Sequence, residues 1–292
     1  DGIFLKPLFE MGINVIGIEP AKNVAKIAKK AGLETFESYF DKKVVSKILN
    51  KYGKVDIVTA FNVFAHADDL HEIALNIEKV LKPKGTFIFE VQYLLDTIKD
   101  LTFDNIYHEH VNYWTVISIL RFFEDHKLKV YKIENVNTHG GSIRVFVSKD
   151  ENIRKHPSVN KFIKNEIKVK LNNLTTYQKF GKKVEHQKRK SVSEIHKILS
   201  EGKNIIGYGA PAKATTVLNY FGLSDKHIQF TIDDNKLKQN KYIPGANIKI
   251  QSFNIIDSNK VDYVLVLAWN FFDQIKTNIA TKLPNSKFIK LK

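Results

Sequence analysis

The sequence predicts an α/β protein in which two doubly wound units flank a helical connector. Three observations carry this. Short β-branched runs alternate with amphipathic stretches through the first half, the pattern of strands joined by crossover helices. A densely charged segment with a single apolar stripe runs from Pro157 to about Leu199. A second strand and helix alternation opens at Asn204. The 292 residues leave room for about two domains at roughly 150 residues each, and the expected division is 1–150, 151–200 and 201–292.

In the first part, Val15-Ile16-Gly17-Ile18 is a β-branched run that ends at Glu19-Pro20. Val24, Ile27 and Ala28 then fall at helical spacing before Gly32, a residue suited to closing a helix. Asp56 to Phe61 reads as the next strand, and Leu70, Ile73, Ile77 and Leu81 share one face of a helix that stops before Pro83 and Gly85. Thr86 to Val91 is a further strand. The stretch from there to about Trp114 reads as an irregular polar and aromatic loop, placed where α/β sheets carry their chemistry. Thr115 caps a helix bearing Ile117, Leu120 and Phe123, and Leu128–Val136 with Ser142–Ser148 form a terminal strand pair, expected to be antiparallel.

The connector places Phe162, Ile163, Ile167, Leu171, Leu174, Phe180, Val184, Val192, Ile195 and Leu199 on its buried stripe, as one long helical segment. Beyond it, Ile205 to Gly209 is a strand, a helix runs through Val217 and Leu218, and Gln229–Ile232 and Asp262–Leu267 are further strands. These make a second, smaller doubly wound domain.

The composition, 43% hydrophobic and 26% charged, is that of a folded soluble protein, and no apolar run approaches the roughly 20 residues of a membrane span. There is no cysteine, hence no disulfide or thiolate metal site, and no leader-like start, so a cytoplasmic setting is expected. The chain begins Asp1-Gly2-Ile3-Phe4-Leu5, which reads as the tail of a motif in a truncated sequence. The formal charge of +15 favours anionic partners such as nucleotide diphosphates. Lysine is nevertheless spread along the whole chain, as in compositional drift, and no arginine-rich arm or aromatic-basic motif points to nucleic acid.

Glu19 stands where an acidic side chain at a strand end accepts hydrogen bonds from a ribose diol, and Asp1-Gly2 stands where a glycine turn would meet a cofactor. This suits a nicotinamide or an adenosylmethionine cofactor equally, and a solvated glutamate is the plain alternative. Asn62 and His66 follow a strand in Asn62-Val63-Phe64-Ala65-His66, where they face a cofactor or simply cap the strand. Tyr107-His108-Glu109-His110 is the densest group of acids and bases in the sequence. It suits general-base chemistry, a metal site that would need further ligands such as His66 and His139, or a polar surface loop. Gly207-x-Gly209 with Lys213 suits a ligand phosphate or a structural turn, while Trp269 and Asn270 end a strand and either line a cleft or belong to a core.

At this point the sequence resembles the sugar C-methyltransferases, which attach a methyl branch to deoxyhexoses. The likeness rests on Asn62-Val63-Phe64-Ala65-His66, Tyr107-His108-Glu109-His110, Gly140-Gly141-Ser142-Ile143-Arg144 and Gly207-Tyr208-Gly209-Ala210-Pro211-Ala212-Lys213. Asp233-Asp234-Asn235, Tyr242-Ile243-Pro244-Gly245 and Leu267-Ala268-Trp269-Asn270 complete it, in the family's order along essentially the whole chain.

The resemblance implies a class I methyltransferase Rossmann-like domain lacking its first strand, then the connector and a second Rossmann-like domain that helps hold a sugar nucleotide. It also implies an N-terminal cysteine-rich zinc domain, absent from this sequence. By the same resemblance, S-adenosyl-L-methionine is the cofactor, held by Asp1, Gly2, Glu19 and Asn62, and a nucleotide-linked keto-deoxysugar is the substrate, contacted by Gly209, Lys213, Trp269 and Asn270. His110 is then the base that forms an enolate, Tyr107 and Glu109 position it or polarise the enolate oxygen, His66 assists, and no metal is required. An NAD-dependent dehydrogenase and a catalytically idle sugar-nucleotide module are the alternative readings.

Overall fold

The structure is a computed structural model that describes residues 1–138, 140–256 and 260–291. Its elements run α1 (Leu5–Glu10), β1 (Gly17–Ile18), α2 (Lys22–Lys30), β2 (Thr35–Phe36), α3 (Lys42–Tyr52), β3 (Val55–Phe61), α4 (Leu70–Val80) and β4 (Leu81–Gln92). There follow α5 (Leu94–Lys99), α6 (Val116–Glu124), β5 (Lys129–Val136), β6 (Ser142–Ser148), α7 (Pro157–Lys168) and α8 (Leu174–Ser200). The last part holds β7 (Ile205–Tyr208), α9 (Ala212–Phe221), β8 (Thr231–Ile232), β9 (Tyr242–Ile243), β10 (Ile248–Gln251), β11 (Tyr263–Val266), α10 (Phe272–Ala280) and β12 (Lys287–Ile289). Among the described residues no helix is long and apolar enough to cross a membrane.

The chain divides into two units that are interleaved in sequence: Asp1–Val91 with Trp114–Val136 and Ile143–Asn165, and Gln92–Tyr113 with Asn137–Ser142 and Glu166–Lys292. In the first unit β1 pairs in parallel with β2 and β3 in parallel with β4, and β4 continues the order β3-β4-β6-β5. Parallel neighbours need crossovers, and the helices supply them. Asp41 and Asp69 cap α3 and α4 by accepting the Val44 and Glu72 backbone N–H groups at 2.8 Å each. Thr115 and Ser118 form a reciprocal capping box at the start of α6.

Under the larger sheet lies an aromatic core. Phe64, 1% exposed, has the rings of Phe87, Phe89, Trp114, Phe122 and Phe123 within 6.0 Å of its own. Arg144 donates from Nε (2.7 Å) and Nη2 (2.5 Å) to Glu90, which is buried on β4, so this arginine has a structural partner.

In the second unit the sheet order is β12-β11-β7-β8-β10-β9, with parallel pairing except between β9 and β10. Sequence order therefore runs outward from β7 on both sides, through β8 and β10 one way and through β11 and β12 the other. The reversal lies between β7 and β11, the topological switch point where doubly wound sheets open a crevice beyond their strand ends.

Three expectations need correction. The stretch after β4 is not one irregular loop, because α5 and a 3₁₀ turn at Phe103–Asn105 lie within it. α5 has six residues and no side-chain cap, and the burial of Leu95 and Thr97 holds it in place of any periodic signal. The connector is two helices, not one: Lys170 adopts φ +56° between them and Asn173 caps α8 through the Thr175 N–H. That break rotates the stripe, so Ile167 and Leu174 are 61% and 71% exposed while Leu171 is buried. The expected strand at Gln229–Ile232 shortens to Thr231–Ile232, and β9, β10 and β12 are strands of two to four residues formed by their neighbours.

A histidine pair gives this unit a pH response. His227 accepts the Ser224 N–H at Nδ1 (3.2 Å) and stacks on His196 with ring centroids 5.4 Å apart. Burial, then the neighbouring His196 and Lys226, push the His227 pKa down against a smaller pull from Asp225. The unfolded chain thus binds the proton first, so stability present above about pH 6.5 falls as the pH drops through the folded value. Urea unfolding on both sides of that pH should show the loss, and His227→Phe should reduce its slope. An equal slope in the variant would contradict the assignment.

Candidate active site

The first unit carries the residues expected to meet a cofactor. Glu19 follows β1, and one carboxylate oxygen accepts the Ala21 N–H at 2.8 Å. A carboxylate offers about four acceptor positions, so it retains capacity for a ribose diol. Asn62 ends β3 at φ +54°, with its N–H on the Glu90 carbonyl at 3.2 Å. Both residues stand at the carboxyl ends of parallel strands. A carboxylate with spare acceptor positions at a strand end is a group to which a ribose diol can donate. Asp1 Oδ1 accepts the Ile3 N–H, and Gly2 has φ +82° with Leu33 Cδ1 only 2.3 Å from where a Cβ would be, so packing already requires glycine there. His66 is exposed at the end of a short 3₁₀ turn.

Tyr107, His108, Glu109 and His110 belong to the second unit. Their segment follows the 3₁₀ turn at Phe103–Asn105, whose Phe103 is buried against Phe221 with ring centroids 5.7 Å apart. His110 Nδ1 lies 2.7 Å from the Asn105 carbonyl oxygen. A carbonyl only accepts, so Nδ1 carries the proton and the basic lone pair of the neutral ring resides on Nε2. The Tyr107 ring packs 4.4 Å from the imidazole. Burial, followed by the charge of Glu109 and a hydrogen bond to it, raises the Tyr107 pKa and keeps the phenol a donor. Tyr113 is also raised by burial, partly offset by a backbone hydrogen bond from Tyr107. His108 is 88% exposed, with Nε2 4.0 Å from Glu109.

At the switch point of the second sheet, Gly209 follows β7, Lys213 lies in the first turn of α9, and Trp269 and Asn270 follow β11. The glycines here have packing reasons. A Cβ on Gly207 would meet Thr231 Oγ1 at 2.6 Å, and one on Gly209, at φ +87°, would meet Ala268 Cβ at 2.9 Å. Lys213 Nζ lies 5.6 Å from the Trp269 ring centroid. Burial lowers its pKa and the charge of Asp104 partly restores it. Asn270 is exposed. Nearby, Asp233 accepts the Ala210 N–H at 2.8 Å and Tyr208 donates to Asp234 at 3.0 Å; burial, then Asp234, push the Tyr208 pKa up to about 12.

Sequence reasoning missed Asp104. It is fully buried and accepts the Trp269 indole N–H at 2.5 Å across 165 positions of chain. An aspartate in a polar stretch gives no sign of burial, and only the partner supplied by β11 distinguishes it. Gly140, at φ +86°, completes the neighbourhood, since a Cβ there would touch Thr102 and Trp269 at 3.4 Å. Among the described residues no group of three or more histidine, aspartate or glutamate side chains is gathered for a metal ion, and His139 lies outside them.

Comparison with known proteins matches residues 137–290 to the C-methyltransferase C-terminal domain and residues 1–133 to a methyltransferase domain. The C-methyltransferase NovU of Streptomyces niveus is 33% identical over 287 residues, covering 97% of this chain and 68% of that protein. The chain belongs to the C-methyltransferase family. A more distant relative is the ubiquinone biosynthesis O-methyltransferase of Colwellia psychrerythraea, 26% identical over 44% of this chain and 57% of that protein. Among solved structures, the Haloferax volcanii methyltransferase in complex with the Trm112 activator is similar over 50% of this chain and 77% of that one, at 18% identity and a TM-score of 0.41. This C-methyltransferase is a class I enzyme dependent on S-adenosylmethionine, which decides between the two cofactors that Glu19 alone left open.

Proposed function

We propose that the enzyme methylates a carbon beside the ketone of a nucleotide-linked keto-deoxysugar, with His110 as the base. The observation that carries this reading is the 2.7 Å contact of His110 Nδ1 with the Asn105 carbonyl, which leaves Nε2 as the basic nitrogen. When bound, adenosylmethionine supplies an electrophilic sulfonium methyl, and Asp1, Gly2, Glu19 and Asn62 are the residues that would hold it. The chain's own task is to make a carbon nucleophile. Nε2 of His110 takes the proton from the carbon next to the ketone, and the charge left on the enolate oxygen needs donors.

Tyr107 keeps its phenolic proton, which it shares with Glu109; it positions His110 from beside the imidazole, or polarises that oxygen by turning its single O–H from Glu109 to the enolate. Glu109 orients Tyr107, and His66 has the assisting role that the family resemblance implies. Gly209, Lys213, Trp269 and Asn270 stand at the mouth of the β7 and β11 switch point, where an ammonium beside an indole suits a nucleotide diphosphate. The working division is cofactor handling in 1–150, a connector in 151–200 and sugar-nucleotide binding in 201–292. We place the reaction in the cytoplasm, with no nucleic acid or membrane partner.

The test is incubation of the chain with methyl-labelled adenosylmethionine and a nucleotide-linked 4-keto-deoxysugar. Label is expected on a carbon adjacent to the ketone. Binding of both ligands without transfer would support the idle-module reading instead.

A further inference from the structure

Burying a carboxylate costs several kcal/mol unless its surroundings compensate. Asp104 is buried completely, in the middle of the Phe103–Asn105 turn. Its compensation comes from two distant segments of the same unit, the indole N–H of Trp269 after β11 and the half-buried ammonium of Lys213 on α9. Gly140 closes on the far edge of the same indole. Four of the segments that resemble the family, those containing Gly140, Lys213, Trp269 and His110, therefore meet at or beside one aspartate. The residue that follows it is Asn105, whose carbonyl oxygen sets the His110 tautomer.

We propose that Asp104 is a positioning residue for His110. Its bond to Trp269 pins the Phe103–Asn105 turn, so that the Asn105 carbonyl points at Nδ1 and the lone pair is kept on Nε2. The proposal rests on His110 being the base. Loss of the anchor lets the turn rotate, the carbonyl leaves Nδ1, and the ring populates both tautomers. A base in the wrong tautomer presents N–H to the carbon acid and cannot accept its proton.

The experiment uses the full chain labelled with ¹⁵N-histidine at about pH 8, where an unperturbed imidazole is neutral. The His110 signals are assigned by their loss in His110→Asn. The wild type is expected to be protonated at Nδ1 alone, whereas Asp104→Leu, which removes the acceptor, and Trp269→Phe, which removes the donor, give a mixture of tautomers. In both variants kcat for labelled methyl transfer should fall roughly 10-fold, while KM for adenosylmethionine is unchanged. Trp269→Phe keeps an aromatic ring in place and serves as the second variant should Asp104→Leu fail to fold.

A single Nδ1–H tautomer in the folded variants would overturn the proposal, whatever happens to the rate. Mixed tautomers at full rate, with His110→Asn impaired, would overturn it as well. A tautomer shift together with a fully active His110→Asn would support the anchor and sink the base assignment, so the two failures are distinguishable.

Discussion

His110→Asn should slow methyl transfer by roughly 10²–10⁴-fold while adenosylmethionine binding stays intact. Asparagine can still donate an amide N–H to the Asn105 carbonyl that now holds Nδ1 at 2.7 Å, so the turn keeps its contact and only the basic nitrogen is removed. The adjacent Tyr107 ring, 4.4 Å away and tilted, loses an aromatic contact, while the backbone N–H at position 110 keeps its bond to the Tyr107 carbonyl. Single-turnover transfer of labelled methyl, combined with a titration by adenosylhomocysteine, separates chemistry from binding. A variant at the wild-type rate would end the base assignment. Equal losses in rate and affinity would show that His110 supports the fold of the site and not the proton transfer.

The largest stability effect is expected at Phe64. Phe64→Ala should destabilise the first unit by roughly 3–5 kcal/mol, the range for deleting a buried aromatic that leaves a cavity. The side chain is 1% exposed and meets five aromatic rings, from β4, α6 and Trp114, so no single neighbour can collapse into the space. Phe64 lies between Asn62 and His66, so the same segment that ends at the proposed site is nailed down by the core. Denaturant unfolding followed by tryptophan emission reports it, because Trp114 stacks on Phe64. A loss below about 1 kcal/mol would mean that the cluster repacks freely, contrary to interior packing density. Phe64→Leu, which fills most of the volume, should cost less than the alanine variant.

What the sequence by itself determined is the class of fold and the family. Val15–Ile18, Asp56–Phe61 and Thr86–Val91 are β-branched or aromatic runs whose type is written locally, and the helices between them carry their apolar face at 3.6-residue spacing. The acid-base cluster from Tyr107 to His110 was equally visible, since residue identity alone marks it. Other features depend on partners that no local pattern announces. α5 exists because Leu95 and Thr97 are buried, and the break between α7 and α8 turns on one left-handed lysine. β9, β10 and β12 are too short for periodicity and take their form from the strands beside them. Gly207 and Gly209, which read as phosphate-loop glycines, are also crowded by Thr231 and Ala268.

The same division holds within the site. Sequence could name His110 as a base but could not say which nitrogen bears its proton. That choice is made by the Asn105 carbonyl, five residues earlier and 2.7 Å away. Sequence gave no reason to notice Asp104, because burial and a tryptophan 165 residues distant are what make it significant. Local chemistry is encoded by residue type and spacing. Protonation, orientation and the cost of a buried charge are properties of the surroundings, and only tertiary structure supplies those.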